Sequence, residues 1–465
     1  MITEGFTPEE LAEAAAEAGI RIAAARLRSV PTGATSGERE EWRERLIFVD
    51  RKGQAPKLAK HHANAVIFLR YHPAWAGRIY FDEHAQVVRV NTPPWHEPEQ
   101  APCSVDEEGF REWTDADDAR LSSWLLREPG IGMELASTAC AEAVRIAAEA
   151  NPRHPFREWL ESLRWDGVER LNSALFDFFG ATPGEYASNV FRWWMISLCA
   201  RTYWPGCKAD YVLILEGGQG INKSTALRVL AGKKQWFSDT PIRLDSKDRF
   251  QALLGKVIVE MAEFKLDSKA AKDFFTSSVD NYRPPFGRRE VSIARRGGIA
   301  ATMNPPSDGA YLTDETGGRR YWPVTCGEID LRGLERAREQ LWAEAAHVCQ
   351  ESLICPECSA TDTLIRCEMH RWWPVGAEHA ELAEEQEQRT EGEPWQEPIA
   401  EWLATRPEDV SLNEVILGAL KFDNAGKIDR VAQRRASRAL KAIGRRRVQL
   451  APDASGRRPW VYRRG

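Results

Sequence analysis

The residues from Gly217 to Thr225 have the types and spacing of a phosphate-binding loop. Glycines keep side chains away from a phosphate, so that backbone N–H groups can surround it. The loop consists of Gly217, Gly218, Gln219, Gly220, Ile221, Asn222, Lys223, Ser224 and Thr225. Lys223 can reach the β- and γ-phosphates of a nucleotide, and the Ser224 hydroxyl can bind Mg²⁺. The sequence therefore predicts a site for ATP and Mg²⁺.

Two elements must position this loop. The apolar run Tyr211–Leu215 has the length of a buried parallel strand, and residues 226–232 read as a helix closed by Gly232. Asn222 stands where such loops usually have glycine. Asparagine enters the left-handed backbone region more readily than most residues, so we expect the loop to form at a cost of about 1 kcal/mol. The alternative is a chance glycine turn.

A second strand supplies carboxylates. Val257 to Glu263 is an apolar run that ends in acids, as in the strand of an ATPase that organises magnesium and water. We assign Glu260 to the magnesium–water shell and Glu263 to polarising the attacking water. The two roles could be exchanged, and the alternative is an ordinary strand end with solvated acids.

Composition bounds the rest of the chain. With 465 residues, the sequence is long enough for roughly three domains, and its net charge of −6 argues against a uniformly basic nucleic-acid binder. No apolar run is long enough to span a membrane, and the acidic start is unlike a signal peptide, so a cytoplasmic protein is expected. Nine cysteines therefore suggest reduced thiols or metal ligands.

Four of these residues form a C-x2-C-x8-C-x2-H pattern: Cys355, Cys358, Cys367 and His370. Two ligand pairs at this spacing can close a tetrahedral zinc site. Cys349 could replace one ligand, and the alternative is a set of reduced structural cysteines. Because four protein ligands leave no open position, a structural or DNA-contacting zinc knuckle is predicted rather than a catalytic metal.

The C-terminal part changes its charge abruptly. Glu378–Val410 has a net charge of −9 and is predicted to be a solvated helix and linker. Lys427–Gly465 has a net charge of +11, with two helices upstream of a predicted hairpin. This order is typical of a winged helix, whose DNA contacts we assign to Arg434, Arg435, Arg445 and Arg446. Alternatively, the basic surface binds the acidic segment.

We expect six regions. They are an α+β region of unknown role (1–150), a helical collar (151–208), a P-loop core (209–345), a zinc-binding insertion (346–376), an acidic linker (377–410) and a basic winged-helix-like domain (411–465). The first region has scattered histidines, namely His61, His62, His72 and His84, and no catalytic constellation.

Several longer motifs resemble the virulence-associated protein E family. They are HPFREWLESLRWDG at 154–167, PGCKADYVLILEGGQG at 205–220, WFSDT at 236–240, GKVIVEMAEF at 255–264, VDNYRPPFGRR at 279–289 and DETGGRRYWPV at 314–324. That family comprises P-loop ATPases of phages and plasmids that are similar to superfamily 3 helicases. The resemblance implies an α/β, AAA+-like core and a homo-oligomeric ring.

Further roles follow from this resemblance. Asn304, after the apolar run 298–303, is implied to sense the γ-phosphate or the attacking water. Arg319 and Arg320 are candidate arginine fingers for a neighbouring subunit, with a turn held by surface ion pairs as the alternative. Between Glu263 and Asn304, a hairpin would carry Arg288, Arg289, Arg295 and Arg296 to single-stranded or forked DNA in a central channel. The alternative is a solvated basic loop.

The predicted function is an ATP-dependent DNA helicase or origin-remodelling ATPase in the replication of a mobile element. Because the chain shows no primase constellation, a primase would be a separate partner. Two alternatives stay open: a nucleotide switch in defence or signalling without unwinding, and a DNA-binding initiator that binds nucleotide without hydrolysing it.

Overall fold

The computed structural model describes a mixed α/β protein over residues 20–21, 41–50, 55–95, 105–262, 269–283, 289–305, 311–312, 318–355, 358, 367–389, 395–406, 409–422, 424, 428–451 and 458–464. The strands are β1 (Ile20–Arg21), β2 (Phe48–Val49), β3 (Lys57–Leu58), β4 (Ile79–Asp82), β5 (Val87–Asn91), β6 (Phe110–Glu112), β7 (Pro152–Arg153), β8 (Val212–Glu216), β9 (Phe237–Ser238), β10 (Ile258–Ala262), β11 (Val279–Tyr282), β12 (Val291–Ala294), β13 (Gly298–Met303), β14 (Tyr321–Thr325), β15 (Arg445–Gln449) and β16 (Trp460–Arg464).

The α-helices alternate with these strands. They are α1 (His62–Tyr71), α2 (Asp115–Arg127), α3 (Ser137–Glu149), α4 (Pro155–Ser162), α5 (Ala174–Phe179), α6 (Glu185–Tyr203), α7 (Lys223–Ala231), α8 (Lys269–Thr276), α9 (Leu331–Ile354), α10 (Glu378–Glu387), α11 (Gln396–Leu403), α12 (Leu412–Gly418) and α13 (Arg430–Ala442). Among the described helices, none has both the length and the apolar character needed to cross a membrane.

A five-stranded parallel sheet lies at the centre, in the order β14-β8-β13-β10-β9. Every residue of β8 is buried, which explains why this strand is a continuous apolar run up to Glu216. Because all five strands point the same way, the residues that follow β8, β10 and β13 meet at one edge of the sheet.

Helices cover both faces of this sheet. On one face, α6, α7 and α9 enclose a core that contains Trp194, Trp322 and Trp342, all nearly inaccessible to solvent. On the other face, Phe274 and Phe275 of α8 pack near Tyr321. The aromatic residues predicted to form a helical collar are therefore core residues of α4 to α6, as their helical spacing indicated.

The N-terminal unit has its own core. Its sheet has the order β6-β5-β4-β7, and α1, α2 and α3 pack around Trp42, Trp75 and Trp124. Helix α1 is followed by the antiparallel strands β4 and β5. Thr114 and Asp117 form a capping box at the start of α2.

A third core lies at the C-terminus. Helices α11, α12 and α13 pack with the hairpin β15–β16 around buried residues such as Ile416 and Leu440. Val410 adds a further bridge to Tyr462 of this hairpin. The hairpin, α12 and α13 lie where the sequence predicted two helices followed by two strands, whereas α11 lies in the stretch predicted to be an acidic linker.

The first part of the acidic stretch is not a solvated linker. In α10, Leu382 is buried in the main core and the Gln386 amide donates a hydrogen bond to the Tyr321 carbonyl. The abundance of acids indicated solvent exposure, whereas one buried leucine and one buried amide hydrogen bond attach this helix to the main core.

Candidate active site

The loop between β8 and α7 has little room for side chains. Gly217 has φ +150°, and a Cβ there would lie 2.6 Å from Cδ1 of Ile221 and 2.9 Å from the Cys326 carbonyl oxygen. Asn222 has φ 69° and ψ 26° and directly precedes α7. The left-handed conformation expected of Asn222 is therefore confirmed, and the loop forms without glycine at this position.

Lys223, the first residue of α7, points back into the loop. Its Nζ donates to the carbonyl oxygens of Gly217 at 2.7 Å and Gly218 at 2.8 Å. It also lies 3.0 Å from Oδ1 of Asn304, the residue that follows β13. The structure thus brings Asn304 to the loop lysine across 81 positions of sequence.

Glu260 lies in the middle of β10 and is 2% exposed. Its Oε1 accepts hydrogen bonds from the hydroxyls of Ser224 and Thr302, both at 2.5 Å. Among the described residues, none donates a hydrogen bond to its other oxygen, Oε2. A buried carboxylate oxygen beside a serine hydroxyl suits Mg²⁺, which takes oxygen ligands and keeps several waters.

An open cleft of about 390 Å³ lies over these groups. It is lined by the loop from Gln219 to Thr225 and by Ala262, Thr302, Met303 and Asn304. Glu263, the predicted water-polarising acid, follows Ala262 and lies outside the described residues. Which of Glu260 and Glu263 organises magnesium and which polarises the attacking water therefore stays a prediction.

Arg319 and Arg320 lie at the opposite edge of the sheet. They immediately precede β14, whose first residue, Tyr321, pairs with Val212 at the start of β8. Arg320 is partly buried, with Nε 3.9 Å from an oxygen of Asp210, whereas Arg319 is exposed. The length of β8 therefore separates both guanidinium groups from the phosphate loop of their own chain.

The predicted basic hairpin is present as β11 and β12. Its arginines differ in their exposure to solvent. Arg288 lies outside the described residues, and Arg289 is exposed. Arg295 is 2% exposed and binds both oxygens of Asp280 through Nε, at 3.0 and 3.1 Å. The prediction that Arg295 contacts DNA is therefore wrong, because its charge is buried and paired within the subunit.

Arg296, next along the chain, is partly buried. Burial lowers the pKa of its guanidinium, while the carboxylates of Glu83 and Asp82 in the N-terminal unit favour the charged form. Contact of Arg296 with DNA stays a prediction.

The four predicted metal ligands converge. The Sγ of Cys367 lies 3.9 Å from that of Cys355 and 3.8 Å from that of Cys358. Nδ1 of His370 lies 3.0 Å from the Cys367 sulfur and 3.4 Å from the Cys358 sulfur. Tetrahedral Zn–S bonds of 2.3 Å place two sulfurs about 3.8 Å apart, so the group fits a structural metal such as zinc.

Neither Cys349 nor an N-terminal histidine belongs to this group in the described part of the chain. Cys349 is wrong as a substitute ligand, because it is buried in the main core and its thiol points to the Ile196 carbonyl. Among the described residues, the three cysteines and His370 have ligand atoms within 4.8 Å of one another, and the scattered N-terminal histidines form no such group.

Residues 160–391 match the sequence profile of the virulence-associated protein E-like domain. The chain therefore contains a virulence-associated protein E-like domain. Among solved structures, the chain is similar to the apo structure of the NrS-1 C terminal region (305-718) and to two A-form apo structures of that region. Each is 12% identical, with 83% of this chain and 96% of that chain covered and a TM-score of 0.43. Curated proteins give no match.

The virulence-associated protein E-like domain includes a buried ion pair that the sequence analysis missed. Glu216, the last residue of β8, accepts hydrogen bonds from Nε of Arg389 at 2.7 and 2.8 Å, and from the Tyr311 hydroxyl. A charged residue at the end of a buried strand was a signal for Glu216. Arg389 lies 173 positions away in an acidic stretch and offered no local signal.

The predicted C-terminal DNA contacts lie outside the matched domain. Arg445 and the exposed Arg446 begin β15. The guanidinium of Arg435 lies 4.1 Å from the centre of the Trp395 ring and is partly buried. Arg434 belongs to α13, and its side chain lies outside the described residues. DNA binding by this surface stays a prediction.

Proposed function

We propose that this chain is a P-loop ATPase that couples ATP hydrolysis to DNA unwinding or origin remodelling in the replication of a mobile element. The observation that carries the proposal is the convergence of Lys223, Ser224, Glu260 and Asn304 at one edge of a parallel sheet. The virulence-associated protein E-like domain supports the replication context.

Each residue has a task in this proposal. Lys223 exchanges its carbonyl partners for the β- and γ-phosphate oxygens of ATP, to which the loop N–H groups also donate. Ser224 and Glu260 would hold Mg²⁺, which neutralises the charge that develops on the phosphates. Asn304 orients the γ-phosphate or the attacking water, and Glu263 polarises that water.

The remaining parts are proposed to bind partners. The Cys355, Cys358, Cys367 and His370 group binds zinc in a structural role, because all four positions are filled by protein. The three C-terminal helices and the β15–β16 hairpin act as a winged helix on DNA, together with Arg289 at the β11–β12 turn. The active form is a homo-oligomeric ring, served by a separate primase.

Steady-state phosphate release, with and without single-stranded or forked DNA, tests the proposal. We expect DNA-stimulated hydrolysis in the wild-type chain. Lys223→Ala should lose nucleotide binding, whereas Glu263→Gln should bind ATP and turn over about 10²- to 10⁴-fold more slowly. If Glu260→Gln alone stops turnover, the roles of the two acids are exchanged. Wild-type activity in both glutamine variants would refute the site.

Hydrolysis that DNA does not stimulate, without strand displacement, would favour a nucleotide switch. Nucleotide binding without phosphate release would favour a non-catalytic initiator. The left-handed Asn222 argues against the second alternative, because the loop keeps the backbone shape for which glycine is usually needed.

A further inference from the structure

One segment connects the cysteine–histidine group to the phosphate loop. We call residues 371–389, which include α10, the strap. At its first end, Arg371 directly follows the ligand His370 and binds both oxygens of Glu378, at 2.5 Å each. Glu378, the first residue of α10, also accepts the Val375 N–H at 2.8 Å. The beginning of the strap is therefore fixed beside the metal-ligating group.

The other end of the strap is fixed beside the loop. Arg389 contacts both oxygens of Glu216, and its backbone carbonyl accepts the N–H groups of Tyr311 and Leu312, both at 2.9 Å. Glu216 is 3% exposed and is bonded directly to Gly217. Because the Gly217 carbonyl accepts Nζ of Lys223, only one peptide unit separates the ion pair from the loop lysine.

The middle of the strap is held as well. Leu382 is 3% exposed in the main core, and the Gln386 side chain donates to the Tyr321 carbonyl at 2.7 Å. The ten-residue helix α10 is thus held at both ends and in its middle. The strap is therefore a continuous connection between the metal-ligating group and Arg389.

The loop tolerates little displacement. Removal of Arg389 would leave the Glu216 carboxylate buried with only hydroxyl partners, and an uncompensated buried charge must move toward water or take up a proton. Since Gly217 is packed against Ile221 and the Cys326 carbonyl, movement of Glu216 changes the loop itself.

We propose that Arg389 is a positioning residue for the phosphate loop and that the strap couples the metal group to nucleotide binding. Loss of the metal releases the beginning of the strap, loosens the grip of Arg389 on Glu216 and weakens nucleotide binding. The inference rests on the proposed function in one respect, namely that the loop binds a nucleotide.

Nucleotide affinity of the full chain tests the positioning role without relying on turnover. We would measure the Kd of a fluorescent ATP analogue with Mg²⁺ for wild type, Arg389→Met, Glu216→Gln and the double variant. A displaced loop should weaken binding by about 10²-fold. The double variant should bind no more weakly than either single variant, and Arg389→Lys should be intermediate. Arg145→Met, which removes an exposed ion pair of α3, is the control.

The outcomes separate two failures. Equal binding by wild type and Arg389→Met would overturn the positioning role and leave the nucleotide site intact. A wild-type chain that does not bind the analogue would refute the nucleotide site, and the inference with it.

A second comparison of single and double variants tests the coupling between the metal group and nucleotide binding. Cys367→Ser should lose the metal by elemental analysis and weaken analogue binding in the wild-type background, but not further in the Arg389→Met background. Additive losses would overturn the coupling through Arg389. If Cys367→Ser does not fold, chelation of the wild-type chain followed by zinc replacement gives the same comparison. Unchanged affinity after proven metal loss would also overturn the coupling.

Discussion

The position of Arg319 leads to a prediction about two inactive chains. Arg319 precedes β14 and the phosphate loop follows β8, and the two strands pair in register from Tyr321–Val212 to Thr325–Glu216. Five residues of strand extend about 16 Å, which exceeds the length of an arginine side chain. An arginine finger at Arg319 can therefore serve only the nucleotide of a neighbouring subunit.

A Lys223→Ala chain and an Arg319→Ala/Arg320→Ala chain should each be inactive alone, because an arginine finger contributes about 10³- to 10⁵-fold to the rate. In an equal mixture of the two chains, about one quarter of head-to-tail interfaces join an intact loop to an intact arginine. We therefore expect phosphate release in the mixture to recover to about a quarter of the wild-type rate per chain.

A matched control mixes two chains whose substitutions both lie in the nucleotide site. Lys223→Ala mixed with Glu260→Gln leaves no intact nucleotide site at any interface, so this mixture should stay inactive. Absence of recovery in the first mixture at every ratio, with both chains folded and co-assembled, would refute the reasoning. Arg319 would then act within its own subunit or not at all.

Three further predictions follow from local geometry. Asn222→Ala should lower the free energy of unfolding in urea by about 1 kcal/mol, since alanine fits the left-handed conformation poorly, whereas Asn222→Gly should be tolerated. Cys355→Ser/Cys358→Ser should lose about one zinc per chain by elemental analysis, while Cys349→Ser keeps it; equal metal content would contradict the ligand assignment. Burial, then the nearby Arg296 charge, lowers the pKa of His154 to about 4. The unfolded state therefore binds more protons between pH 6.5 and 4, and stability should fall by about 3 kcal/mol as the pH drops through this range. His154→Asn keeps an acceptor for the Arg157 N–H and should flatten that pH dependence in urea titrations; an unchanged slope would assign it to other groups, such as His84.

The parts of the site that the sequence predicted are those encoded locally. Strand β8 is buried on both faces, so it reads as an apolar run, and the glycine loop and α7 follow without interruption. The metal ligands come in pairs whose spacing alone brings each pair together. The role of Asn304 could be predicted only from the order of strands in the sheet, which the family resemblance supplied.

The failures concern pairs that are distant in sequence. Arg295 looks like an exposed basic residue until Asp280 on the adjacent strand is placed beside it. Arg389 lies in a stretch whose composition indicates solvent, and its buried partner Glu216 is 173 positions away. Charge composition predicts exposure, but a buried partner reverses the prediction, and a single sequence does not reveal the partner.

Because the phosphate loop and Arg319 lie at opposite ends of the strands, the number of complete active sites depends on how the subunits assemble. A head-to-tail chain of subunits has one complete site per interface, so an open arc always has one active site fewer than it has subunits. A dimer would then work at half the rate per chain of a closed ring. If the subunits form a closed ring, its closure would add a catalytic centre without adding a subunit.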